Sequence, residues 1–214
     1  MGVSAGSMLI PIKDRPQLNQ WLVYASGKHC NQADADIEEL TVELLQSSST
    51  SVLASLPPIK PLIRDNIIGT ISNPPRTDFS ISFVIKPYST YSGWTSILRF
   101  TDRQNQSDYH VYGDRSPALF MRPSSLIIKV EQGSTKKSNH GFNSNVQLNM
   151  NERNTVKLEY EGDKITLIMN GVSAGSMSIP INDRPQLNQS LVYASDKHYK
   201  AADADIEELT VQLL

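Results

Sequence analysis

The chain has 214 residues, with 20 lysines and arginines against 22 aspartates and glutamates and a net charge of −2. Charge so evenly balanced gives no field that holds nucleic acid or an anionic membrane, and no apolar run approaches the roughly 20 residues that span a bilayer. A lone cysteine, Cys30, excludes an intrachain disulfide and a thiolate zinc site, and leaves an unpaired, buried thiol as the expectation.

Residues 1–45 predict short strands at Met8–Ile12, Trp21–Ala25 and Ile37–Leu45, separated by the turn-rich KDRPQLNQ and the polar SGKHCNQADAD. The Glu and Leu content of Ile37–Leu45 suits a helix, but its Ile, Thr and Val positions predict a strand. Residues 46–61, QSSSTSVLASLPPIKP, are Ser-rich and then Pro-rich, the composition of a linker that runs into an extended lead-in. The main domain is expected over 62–214.

From about Asn66 the alternation is regular. Phe79, Ile81, Phe83 and Ile85 share one face of a half-buried strand. Strands follow at Trp94–Phe100, Tyr109–Tyr112, Ala118–Arg122 and around Leu126, Ile128 and Val130, and the polar stretch 132–145 is expected to be a loop. Val156, Leu158 and Tyr160 then turn through Glu161-Gly162-Asp163 into Ile165, Leu167 and Met169. Asn170-Gly171 is a second hairpin turn, since both residues tolerate positive φ. No stretch carries a helical i, i+3, i+4, i+7 stripe. Many short strands with turn signals every 8–12 residues or so predict an all-β, two-sheet antiparallel jelly-roll sandwich.

The chain also repeats itself. Gly2–Leu45 and Gly171–Leu214 align without a gap at an offset of 169 and match at 36 of 44 positions. The differences are Leu9/Ser178, Lys13/Asn182, Trp21/Ser190, Gly27/Asp196, Cys30/Tyr199, Asn31/Lys200, Gln32/Ala201 and Glu43/Gln212. The apolar series of the first copy, Met8, Ile10, Ile12, Leu22, Val23, Ile37, Leu40 and Val42, recurs in the second, so one packing surface was kept twice. Those eight residues are the expected assembly surface.

The body, about 50–170, needs a single set of closing strands, and the chain carries a duplicate. A set of some 45 residues is too small to hold a core alone and has unpaired edges. Three outcomes are open for Gly2–Leu45. It is the tail of a preceding repeat, it pairs with a neighbouring molecule by strand addition or exchange, or it displaces Gly171–Leu214 within its own chain.

The stretches FSISFVIKP, WTSILRFTD, YGDRSPALFM, NTVKLEYEGDKITLIMNGV and QSLVYASDKHYKAADADIEELTVQLL resemble the concanavalin A-like lectin/laminin G-like jelly-roll superfamily over about 65–214. The likeness is greatest to laminin G-like modules of invertebrate extracellular and skeletal-matrix proteins. It rests on the Met169-Asn170-Gly171 turn, the Trp94 strand, the Tyr112-Gly113-Asp114-Arg115 turn and a final strand preceded by Ala-Asp-Ala-Asp. The resemblance implies an extracellular setting, either a skeletal, biomineral-associated or adhesive matrix. Members of the family in adhesion proteins bind calcium or glycans at a loop rim; the matching ligand positions are not found here.

Asp203-Ala-Asp205-Ile-Glu207-Glu208 places carboxylates at alternate positions, as on the catalytic strand of jelly-roll glucanases, but with Asp first and ahead of the last strand. No enzyme is expected. Asp203 and Asp205 (Asp34 and Asp36 in the first copy) offer oxygens to calcium, which wants six to eight or so, the rest coming from Asp102, Asp108 or Asp114; no other cofactor is implied. Asp114-Arg115 reads as an ion-paired turn. The sequons at Asn105 and Asn188 fit secretion, and the opening MGVSAGSMLIPIKD puts any secretion signal upstream. The sequence therefore predicts a non-enzymatic, self-assembling extracellular module, in a tandem array or a strand-exchanged lattice. Its expected partners are other copies of itself, and a glycan or mineral surface. The alternative is a monomeric, glycan-binding, lectin-like module.

Overall fold

The computed structural model describes residues 52–56, 58–72, 78–101, 113–137, 139–185 and 189–214. They belong to one compact unit, Ser47–Leu214; the other unit, Met1–Gln46, lies outside the described residues. With it go the expected strands of the first copy, Cys30, and the eight assembly residues; Asn105 and Asn188 are likewise undescribed.

Among the described residues thirteen strands form two sheets. In chain order they are β1 (Val52–Ser55), β2 (Ile67–Ser72), β3 (Phe79–Pro87), β4 (Thr95–Thr101), β5 (Ala118–Met121), β6 (Ile127–Gln132), β7 (His140–Gln147), β8 (Asn154–Glu161), β9 (Lys164–Met169), β10 (Val172–Ser178), β11 (Gln189–Tyr193), β12 (Lys200–Ala201) and β13 (Ala204–Leu213). Sheet A has the order β1-β13-β3-β8-β9-β10 and sheet B the order β2-β11-β4-β5-β6-β7, with β12 beside β4. Every pairing is antiparallel except β12 with β4. The only helix among the described residues is one 3-10 turn, Ile181–Asp183. This is the all-β, jelly-roll-like sandwich that the alternation predicts.

The core is where the two inner faces meet. β3 turns Ile81, Phe83 and Ile85 inward, β8 adds Val156, Leu158 and Tyr160, and β9 adds Ile165, Leu167 and Met169. Sheet B answers with Leu98, Phe100, Leu119, Met121, Ile128 and Val130. One polar bond crosses this layer: the Tyr160 hydroxyl donates to Gln132 Oε1 at 2.8 Å. Burial pushes the Tyr160 phenol far above its ordinary value, so it remains a neutral donor. Phe79 stacks on its ring at 4.1 Å, and the Arg184 guanidinium lies 5.2 Å from the ring centroid.

Asn170 (φ 51°) and Gly171 (φ 78°) close the β9–β10 hairpin as predicted. The turn is tied into the sheet, because Asn170 Oδ1 accepts the Thr155 N–H at 2.9 Å and its amide donates to Asn154 Oδ1 at 3.0 Å. Beyond it β10 passes close to β7. Gly175 has φ 143°, and a Cβ there would meet the Phe142 ring at 2.9 Å, so only glycine lets the two strands approach.

Two expectations are corrected. The stretch 132–145 is not a loop throughout: His140–Gln147 is the outermost strand of sheet B, paired with β6. As an edge strand it buries only Ser144 fully, so its composition stays polar. The sheet also begins before residue 62, because β1 pairs with β13 and Ile59 bridges to Ile206.

Candidate functional site

The second copy of the repeat is woven through the body. Its last strand, β13, lies between β1 and β3, and β11 lies between β2 and β4. Removing it strips β1 and β2 of their only strand partners in the sheet order and opens both sheets. The segment therefore supplies an inner strand to each layer, and with β10 the far edge of sheet A.

The counterparts of the expected assembly residues show what this surface does. Ile179, Val192, Ile206, Leu209 and Val211, the equivalents of Ile10, Val23, Ile37, Leu40 and Val42, lie in the core. Met177 packs against its margin, and Ile181 and Leu191 are half-buried. In β13 the register shifts between Glu207 and Thr210, and Glu208 has φ 55°. This bulge turns both Glu207 and Glu208 outward while Ile206 and Leu209 point in.

At one end of sheet A the outward residues of β13 meet the β3–β4 loop. The Tyr88 hydroxyl donates to Asp205 Oδ2 at 2.7 Å, and Ser89 Oγ donates to Asp203 Oδ2 at 2.5 Å. The hydrogen bond to the Asp205 carboxylate, more than desolvation, raises the Tyr88 phenol above its ordinary value. Glu207 pairs with both Lys60 and Arg153, and Arg153 Nη2 also reaches Glu208 Oε1 at 2.9 Å. Lys60, Arg153, Asp205 and Glu207 line a cleft of about 200 Å³ with Val84 and Lys86, its wall including Tyr88, 37% exposed. The Asp203–Glu208 motif thus overlaps β13 instead of preceding it, and its carboxylates are engaged by Ser, Tyr, Lys and Arg.

On sheet B, β4 turns Leu98 and Phe100 into the core and Arg99 to the opposite face. Arg99 is buried there, ion-paired with the buried Asp114 and donating from Nε to the Asp114 carbonyl at 2.9 Å. Arg115 pairs with Glu131. The Asp114-Arg115 turn is ion-paired as expected, each residue with a partner on a strand. The second copy meets this seam through its loop between β11 and β12. Asp196 Oδ1 accepts the backbone N–H groups of His198 and Tyr199 at 2.8 and 2.9 Å, and the Tyr199 ring lies edge-on to Phe120 at 4.9 Å. Desolvation, then the Arg99 charge, lowers the His198 imidazole below its ordinary value.

Among the described residues no three His, Cys, Asp or Glu side chains lie together as a cation would need. Asp114 is committed to Arg99, and Asp102 and Asp108 lie outside the described residues. Sequence reasoning missed Tyr88 and Arg153, which read as loop residues, and Arg99, whose signal was a cation inside an apolar strand.

No family model matches the chain, and no curated protein matches it by sequence. Solved structures similar to it include a native heptameric SAP-like pentraxin from Limulus polyphemus, at TM-score 0.44 and 13% identity over 75% of this chain and 67% of that one. Another is the carbohydrate binding module CBM66 from Bacillus subtilis, at 0.41 and 13% over 67% and 77%. A third is the botulinum neurotoxin serotype D ligand binding domain in complex with N-acetylneuraminic acid, at 0.47 and 14% over 64% of this chain. The present chain spans 33% of that neurotoxin chain.

Proposed function

We propose that the protein is a non-enzymatic, extracellular structural module that works as the repeating unit of an ordered assembly. The observation that carries this reading is a match of lengths. The compact unit, Ser47–Leu214, is one residue short of the 169-residue offset between the two copies. One period of the text thus corresponds to one sandwich, and Gly2–Leu45 carries the sequence of the closing strands of another. The skeletal, biomineral-associated or adhesive setting follows from the family resemblance. Intact-mass analysis and peptide mapping of the protein from its native source test the reading. Peptides from further variants of the 169-residue text, and sedimentation as large species, are expected. A native polypeptide holding no further copy, sedimenting as a monomer at all concentrations, overturns it.

A monomeric glycan-binding role is the second reading, and the observation that favours it is the Tyr88 cleft. An aromatic face beside Asp205, Glu207 and Arg153 offers one wall to the apolar face of a sugar and hydrogen-bonding groups to its hydroxyls. A glycan array checks it: binding lost in Tyr88→Ala supports it, and an array without hits rejects it.

A further inference from the structure

Where the two copies differ is not random with respect to the fold. Three of the eight differences fall on positions at or near the surface of the sheet A half: Ser178 and Asn182 are exposed and Gln212 is half-buried. The other five, at 190, 196, 199, 200 and 201, all lie where the second copy joins sheet B.

Three of the five make a contact that the first copy's residue cannot make, and the other two are small residues in places that do not suit the first copy's larger ones. Ser190 stands opposite Ile71 in the β11–β2 register, is 1% exposed, and shares the strand face of the core residue Val192. Trp21 would force an indole into a place filled by a hydroxymethyl group. Asp196 is buried, gathers two backbone N–H groups with its carboxylate, and gives its own N–H to Ser96 Oγ of β4 at 3.1 Å. Gly27 has no acceptor for those two donors. Cys30 lacks the ring that Tyr199 sets against Phe120. Lys200 holds its ammonium 3.4 Å from the Tyr91 ring centroid, a contact Asn31 has no charge to make. Ala201 packs against the core margin, where Gln32 would bring a longer, polar amide.

From this pattern we infer that Gly2–Leu45 is matched to a sandwich body of different sequence, and fills neither the body of its own chain nor that of a second copy. The β13 text, nearly identical in both copies, supplies common packing; the β11–β12 text sets which body accepts it. The identity of that other body, a preceding module with room for an indole opposite its Ile71 equivalent, rests on the tandem reading above. The mismatch itself does not. Neighbouring repeats built this way keep their strands from entering each other's sheets.

Two full-chain variants test this. The first gives the C-terminal copy the five residues of the N-terminal one: S190W, D196G, Y199C, K200N and A201Q. Its melting temperature falls by at least ~5 °C, or the chain fails to fold. Since loss of folding alone says little, the second makes the reverse graft: W21S, G27D, C30Y, N31K and Q32A. It leaves the resident strands untouched and equips the N-terminal copy to compete for them. At equal concentration it yields at least ~10-fold more exchanged dimer than the wild type, read by light scattering and by crosslinks between residues 2–45 and the body of another chain. Equal dimer fractions in the wild type and the reverse graft, or wild-type stability in the first variant, overturn the inference. A native polypeptide without further repeats removes the tandem reading and leaves these outcomes standing.

Discussion

Ile206 and Ile37 occupy the same place in the two copies, and only one of them is expected to hold up the sandwich. Ile206 is fully buried on β13, between Ile85 of β3 and Ile59 of the lead-in. Ile206→Ala deletes three carbons from the core, a transfer loss of roughly 2.4 kcal/mol at about 0.8 kcal/mol per carbon. A cavity between two sheets relaxes only in part, which raises the total to about 3–4 kcal/mol. For a unit of this size that lowers the melting temperature by ~6–16 °C. Ile37→Ala makes the same chemical change in the first copy and should leave the main urea transition within ~0.5 kcal/mol of the wild type. The assay is urea unfolding of each full-length variant by circular dichroism. If Ile37→Ala costs as much as Ile206→Ala, or if Ile206→Ala costs nothing because the first copy takes its place, the assignment of the resident strands is wrong.

Three other outcomes follow from the same contacts. Asp114→Ala leaves Arg99 buried beside a lost carboxylate and should cost about 3–5 kcal/mol, most of it recovered in the apolar double variant Arg99→Met/Asp114→Leu, as chemical denaturation will show. Gly171→Val puts a β-branched residue at φ 78° and should destabilise the unit by about 1–2 kcal/mol, measured by thermal melting. His198 has a depressed folded-state pKa, so below its ordinary value near 6.5 the unfolded chain takes up a proton that the folded chain resists. Stability then declines as pH falls from about 6.5 until the folded imidazole is itself protonated. His198→Gln should flatten that stretch of the pH–stability curve; an unchanged slope speaks against it.

What the sequence made legible was whatever alternates. β8 and β9 bury every second residue and β3 sets its core residues Ile81, Phe83 and Ile85 two apart, and period 2 is visible without a partner. β7 was not legible, because an edge strand is held by its ladder to β6 and HGFNSNVQ shows little apolar pattern. β1 hid inside a Ser- and Pro-rich stretch for the related reason that it needs only four residues paired to β13. β13 was legible as the final strand, but its bulge at Glu208 was not, since a register shift shows only against the paired strand β3. At the site, the carboxylates of Asp203 and Asp205 were visible, but their partners were not: Tyr88 and Ser89 reach them across more than a hundred residues of chain. Burial of Arg99 depends on what covers the outer face of sheet B, which no local pattern encodes.

The unit's first and last strands are antiparallel neighbours, with Val52 opposite Gln212. Its chain therefore enters and leaves at one pole. Tension applied between those two points loads the β1–β13 bonds one after another, as a zipper opens, and never all at once as in shear. The short β1 would peel first and at low force, while the inner strands of the sandwich stay knitted.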